Sequence, residues 1–385
     1  MLFQALILTA SVFFGMFINY VFNFFMARSL SPSLYGELAI IIALYNDLFV
    51  VGGSLQTLAA REIARIKEKK ACYVVKKLGL ISLFIGLAFA FLVFILSFFT
   101  ERISENLRVP LQIISFGLPF GFILSIAKAY LQGKEKVIKY ALISSLEPLV
   151  KLFFGIALVS FGLSLVGASL SLVLPSVVFL IFFFPLFFKK SERYDIKINK
   201  EFFFLTITSF LLMLYFYLDL YFVRFYLGAE EAGYYNVASI TSKVLMYASG
   251  GLATIVLPRY SRNTKQKIKP VIINNFIIVM PIFALFLLFP SFIITILYSE
   301  KYLMAKDAFV ILCVAMFLQS FFRILLTVLW SRKKDWLALK LVIFGLILNF
   351  IFLFFMTKYG ILYVALATLL SSFIITVSSF FYIRK

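Results

Sequence analysis

Ala27–Lys77 reads ARSLSPSLYGELAIIIALYNDLFVVGGSLQTLAAREIARIKEKKACYVVKK: a Pro-containing turn, a long apolar run broken by Asn46 and Asp47, then a basic loop. The same order of parts returns further along as VRFYLGAEEAGYYNVASITSKVLMYASGGLATIVLPRYSRNTKQKIK. At an offset of 197, Leu30, Gly36, Gly53, Leu55, Thr57 and Arg65 meet Leu227, Gly233, Gly250, Leu252, Thr254 and Arg262. At an offset of 198, Lys134 meets Arg332, Lys136 meets Lys334, Gly162 meets Gly360 and Val166 meets Val364. Identities in a shared order of turn, apolar span and basic loop read as a tandem duplication.

The chain around these repeats is 63% hydrophobic and 14% charged, with a mean hydropathy of +1.05. A soluble domain carries far more charge, and apolar runs near twenty residues recur along the chain, so this is a polytopic membrane protein. The spacing predicts twelve apolar spans: 2–26, 36–59, 78–99, 111–131, 140–161, 165–188, 201–223, 233–256, 271–298, 308–330, 337–356 and 360–383. The first lacks a preceding Lys or Arg and is too long for a signal-peptide core, so it reads as a transmembrane helix. With six spans per repeat, both halves keep one orientation. The predicted fold is therefore all-α: twelve transmembrane helices in two six-helix lobes, 1–190 and 191–385, related by a pseudo-two-fold along the membrane normal. Facing lobes of that kind leave a central cavity suited to alternating access.

The net charge of +20 would suggest nucleic acid in a soluble protein. Here the cations lie in short loops, where the positive-inside bias accounts for them and leaves no role for nucleic acid. Loops after the even-numbered spans and the C-terminus hold 25 Lys and Arg against 7 on the opposite side. That asymmetry puts both termini in the cytoplasm, in a cell (cytoplasmic) membrane. There is no His, which removes imidazole ligands and imidazole acid–base chemistry; Cys72 and Cys313 have no metal or disulfide spacing. No nucleotide-binding glycine loop, metal cluster or nucleophile–base pair is present. The sequence reads as a transporter with no cofactor rather than an enzyme.

Five ionisable residues fall near the middle of spans: Asp47, Glu147, Lys151, Lys243 and Arg323. Asp47 lies roughly 16 Å from the outer end of its helix, Lys243 roughly 15 Å from the same side and Lys151 roughly 18 Å from the cytoplasmic side. A charge at such depth costs at least about 2.5–3.5 kcal/mol, which favours positions facing the bundle interior or a wet cavity. Glu147 and Lys151 are i, i+4 on one helix face and can neutralise each other. Lys243 and Arg323 have no local acid, so they are candidate anion-binding groups, with Lys151 beside them as a further candidate; a bridge to Asp47 or Glu147 is the structural alternative. Asp47 and Glu147 are the carboxylates at depth able to carry a coupling H+ or Na+. Lys128 is expected to snorkel, and Asp219, Arg224 and Arg28 to sit in the outer interface. Tyr35, Tyr234, Tyr235, Tyr298, Tyr302 and Tyr359 read as an outer aromatic belt. Pro119, Pro148, Pro175, Pro281 and Pro290 are candidate kinks.

The loops carry a resemblance. Leu30-Ser31-Pro32 leads to Tyr35-Gly36 after the first span, Arg61-Glu62 follows the second, and Gln132-Gly133-Lys134 the fourth. Leu227-Gly228-Ala229 leads to Ala232-Gly233-Tyr234-Tyr235 after the seventh, and Leu297-Tyr298-Ser299-Glu300-Lys301-Tyr302 follows the ninth. In that order they resemble polysaccharide exporters and lipid-linked-oligosaccharide flippases of the multidrug/oligosaccharidyl-lipid/polysaccharide (MOP) exporter superfamily. The resemblance implies a MATE-like, twelve-helix transporter. Its cationic cavity would receive the sugar-phosphate head of a polyprenyl lipid while the tail stays among the membrane lipids. It also implies a monomer working beside polysaccharide-assembly proteins. Tight loops and the lack of further C-terminal helices argue against the fourteen-helix lipid II flippase type. A drug or metabolite cation antiporter of the same superfamily is the alternative, and it would require an acidic cavity.

Overall fold

The computed structural model describes residues 2–100, 104–196, 200–253, 256, 260 and 268–384. Thr254 and Arg262 of the duplicated pairs, and the loop cations Arg102, Lys197, Arg259, Lys265, Lys267 and Lys385, lie outside the described residues. The first half forms α1 (Leu2–Ser29), α2 (Pro32–Ala64), α3 (Glu68–Thr100), α4 (Glu105–Gly133), α5 (Val137–Leu158) and α6 (Ser164–Phe183). The second forms α7 (Lys200–Tyr226), α8 (Ala229–Ala248), α9 (Lys269–Leu288), α10 (Pro290–Tyr298), α11 (Lys306–Ser331), α12 (Asp335–Met356) and α13 (Ile361–Arg384).

Among the described residues ten apolar stretches are long enough to cross a membrane, and one of them, Val137–Phe188, is α5 and α6 folded back on each other. With α8, whose Glu230, Glu231, Asn236 and Lys243 lower its hydropathy, the chain has the twelve crossings expected. The ninth crossing is α9 followed by α10. Pro290 offers no backbone N–H and pushes Phe289 out of helical geometry (φ −128°, ψ 45°), so the helix restarts there. Pro119, Pro148, Pro175 and Pro281 stay inside continuous helices.

The duplication is visible in the backbone itself. The α5–α6 turn has Gly162 at φ +86° and the α12–α13 turn has Gly360 at φ +111°, where a Cβ would be strained. Glu135 after α4 (φ +52°) and Lys333 after α11 (φ +58°) repeat the left-handed step at the same offset of 198. The helix pairings repeat too: α3 on α4, α4 on α6 and α5 on α6 correspond to α9 on α11, α11 on α13 and α12 on α13.

Contact density divides the chain into two compact units, Met1–Leu30 with Ile41–Thr206, and Ser31–Ile40 with Ile207–Lys385. The first turns of α2 thus belong to the second unit. There they meet the first turns of α8 reciprocally: a Cβ on Gly36 would overlap the Ala229 carbonyl, and a Cβ on Gly233 would overlap the Pro32 carbonyl. Pro32 and Ala229 are themselves equivalent at the offset of 197, so the contact is self-complementary. One residue on, Glu37 accepts from Arg224 at the end of α7 through Nε (2.8 Å) and Nη2 (2.6 Å), with both side chains buried.

Two outer-side expectations change at this point. Arg224 is locked in a buried bidentate pair rather than solvated, and Asp219 is 1% exposed, accepting from the Tyr235 hydroxyl at 2.7 Å and the Leu220 amide at 2.8 Å. Tyr35, Tyr235, Tyr298 and Tyr302 are fully buried and Tyr234 nearly so, with Tyr302 edge-on to Tyr35, Tyr234 and Tyr298. These rings pack one end of the second unit; of the expected belt, Tyr359 alone is exposed. Hydrogen-bonding or stacking partners on neighbouring helices draw such side chains inward even near a helix end.

Candidate functional site

Each unit encloses polar side chains that its own helices position. In the first unit, α1 contributes a short amide ladder: Asn23 Nδ2 donates to the Asn19 carbonyl (2.8 Å) and Asn19 Nδ2 to the Gly15 carbonyl (2.9 Å). Asn19 Oδ1 is left to accept from Lys151 Nζ of α5 at 2.6 Å, and the same ammonium lies 4.2 Å from the centre of the Phe22 ring. Lys151 is therefore held by an amide and an aromatic face.

Glu147 pairs with Lys128 of α4 at 2.7 Å. The i, i+4 pairing of Glu147 with Lys151 does not form, and Lys128 does not snorkel. Packing of α4 on α5 supplies a closer cation than the next turn of α5 itself. Asp47 is buried at 4% exposure within α2. Gln56, Gln132 and Tyr140 meet from α2, α4 and α5.

In the second unit the two cations share the seam where α8 packs on α11. Lys243 is buried, its ammonium 4.3 Å from the centre of the Tyr217 ring. Arg323 donates through Nη1 to the Met246 carbonyl over a long 3.5 Å and lies 5.4 Å from the centre of the Tyr247 ring. Among the described residues no carboxylate comes within ion-pair distance of Arg323. Its guanidinium opens into a cavity of about 80 Å³ shared with Leu212, Ser249, Gly250, Thr327 and Trp330. A single water needs about 10–15 Å³, so this is more than a packing defect.

The cavity is lined by one cation, two hydroxyls and an indole ring. Thr327 Oγ1 already donates to the Arg323 carbonyl, Ser249 Oγ to the Met246 carbonyl, and Trp330 Nε1 is a buried donor with no acceptor among the described residues. A guanidinium beside such a space can hold two oxygens of an anion at a time. Trp330 escaped the sequence reading because a Trp near a helix end looks like an interface anchor. Its signal was the duplication, which pairs it with Gln132 at the offset of 198.

A third cluster was also missed. Asp219, Tyr235 and Thr368 bring α7, α8 and α13 together, and Gln319 Nε2 donates to Ser372 at 2.9 Å while Ser371 donates to Asn349 at 3.2 Å. Spread over five helices, these bonds tie the second unit together from within.

Comparison with known proteins agrees with this architecture. The sequence family described as polysaccharide biosynthesis protein matches residues 2–263. An uncharacterized membrane protein of Methanocaldococcus jannaschii is 27% identical over 179 residues, 44% of this chain and 35% of that protein, so the match spans about a third of the relative's length. Among solved structures, the lipid II flippase MurJ in an inward closed conformation superposes with a TM-score of 0.77 at 17% identity, covering 100% of this chain and 88% of that one. An outward-facing MATE multidrug resistance transporter of the MOP superfamily gives 0.72 at 18%, covering 99% and 94%. A MOP superfamily transporter of Pyrococcus furiosus, described as having a binding pocket of reverse polarity, gives 0.71 at 19% over 99% and 94%. At such identities the likeness speaks for the fold.

Proposed function

The chain belongs to the polysaccharide biosynthesis protein family and has the transporter fold of the MOP superfamily, and from that premise we propose that it is a flippase. It carries a polyprenyl-phosphate-linked oligosaccharide or polysaccharide precursor from the cytoplasmic to the outer leaflet by alternating access. The observation that carries this reading is Arg323: a cation within the second unit that borders a cavity, with no carboxylate in ion-pair range among the described residues. An exporter of organic cations needs acceptors there. Arg323, Lys243 and Lys151 act as phosphate- and head-group-binding residues, and Asp47 and Glu147 as carriers of a coupling H+ or Na+.

The test is the full chain reconstituted in vesicles with a fluorescent polyprenyl-phosphate-linked sugar in one leaflet. Sugar becoming accessible on the far side only in the presence of the protein is the expected result. Uptake of ethidium in place of sugar movement would move the chain to the antiporter class. Glu147→Gln and Asp47→Asn are expected to weaken the dependence on an imposed ion gradient; gradient dependence unchanged in both would return the two carboxylates to structural roles.

Orientation is tested separately. Single Cys residues at 189 and 333 are expected to label from the cytoplasm, and at 104, 230 and 304 from outside. One site labelling from the wrong face would break the assignment of both termini to the cytoplasm.

A further inference from the structure

The duplication places a second polar cluster where the first unit repeats the Arg323 cavity. Gly250 borders that cavity and Gly53 is its equivalent at the offset of 197; a Cβ built on either meets nothing within 4 Å. Trp330 borders it too, and its equivalent at 198 is Gln132. In the first unit, then, open space beside Gly53 is followed one turn along α2 by Gln56. Its Nε2 lies 3.4 Å from Gln132 Oε1 of α4 and 3.3 Å from the Tyr140 hydroxyl of α5.

The chemistry of the two places differs. Around Arg323 there is a positive charge. The Gln56 cluster is two amides and a phenol, which offer donors and acceptors in balance and are themselves uncharged. One turn back along α4, Lys128 is already neutralised by Glu147, and Lys136, four residues before Tyr140, turns its ammonium to the Tyr130 ring. The internal bonds of the cluster are longer than the usual N–H···O range of about 2.7–3.2 Å, so they are weak and readily exchanged. Gln132 is exposed, and Gln56 and Tyr140 are half-buried. The three side chains offer an anion no charge of their own, and an alkyl tail would strand the amides. A polyol matches them, because each of its hydroxyls both donates and accepts.

We propose that Gln56, Gln132 and Tyr140 form a sugar-recognition site that binds hydroxyls of the neutral sugar head. Repeat-equivalent positions have thus diverged into a sugar site in the first unit and a phosphate site in the second. The inference rests on the flippase reading above and adds what selects the sugar.

The test measures binding of two probes to the purified full chain: a polyprenyl monophosphate, and the same lipid bearing one hexose. Wild type is expected to bind the hexose-bearing lipid about tenfold more tightly, the worth of one or two net hydrogen bonds. Gln56→Ala with Gln132→Ala is expected to erase that ratio and leave affinity for the bare phosphate lipid unchanged. Tyr140→Phe is expected to reduce the ratio partly. Arg323→Ala should do the reverse, weakening both lipids and keeping the ratio. Because the readout is a ratio within one variant, partial misfolding does not imitate it. A wild-type ratio near one, or a full ratio in the double Gln variant, overturns the sugar site while leaving the phosphate reading in place. Wild type binding neither lipid overturns both.

Discussion

Arg224→Ala is expected to lower stability by about 3–5 kcal/mol, the usual consequence of stripping one partner from a buried ion pair. Glu37 and Arg224 have side-chain exposures of 2% and 6% and two hydrogen bonds of 2.6 and 2.8 Å. Removing the guanidinium leaves a carboxylate in a dry site, beside backbone packed too closely at Gly36 and Gly233 to admit a compensating side chain. Glu37→Ala should be comparably damaging, because it strands the guanidinium. Glu37→Leu combined with Arg224→Met should melt near wild type, since the pair's attraction is largely offset by the desolvation of its two charges. The measurement is thermal unfolding of the purified protein at fixed scan rate and concentration. Single variants melting with wild type would mean that water reaches the pair and screens it.

The parts of this protein legible in its sequence are those set by one helix at a time. Span length, loop charge and the turns repeated at Gly162 and Gly360 or Glu135 and Lys333 depend on local backbone and on transfer from water to lipid, so composition and spacing expose them. Partners across helices depend on packing register, which spacing along one helix does not report. Glu147 and Lys151 are correctly spaced for a pair, yet α4 brings Lys128 closer. Depth along a helix was likewise a poor guide to burial: Asp219 and Arg224 lie in the last turns of α7 and are nevertheless enclosed, because Tyr235 and Glu37 reach them from neighbouring helices. The deep positions of Lys243 and Arg323 were legible as charges, but their surroundings, Tyr217 for one and the Trp330 cavity for the other, were not.

The two enclosed arginines of the second unit should therefore fail in opposite ways. Arg323 makes one long hydrogen bond, to the Met246 carbonyl at 3.5 Å, and rests against Tyr247, so Arg323→Ala removes little that holds the fold. Its expected loss is in transport. A charge-assisted contact to a phosphate is worth about 1.5–3 kcal/mol, which is about 10- to 150-fold in affinity. Flipping by Arg323→Ala should fall by at least about tenfold at limiting substrate, with the melting temperature close to wild type. Arg323→Lys should lie between, because an ammonium keeps the charge and loses the fork that grips two oxygens. Trp330→Phe keeps an apolar ring in the cavity wall and should weaken transport less than loss of the charge. Lys243→Ala joined to Arg323→Ala should leave almost no flipping, since both cations placed where α8 packs on α11 are then gone. If that double variant inserts, melts near wild type and still flips the lipid-linked sugar at the wild-type rate, phosphate recognition does not reside on this seam and the cationic-site mechanism is wrong.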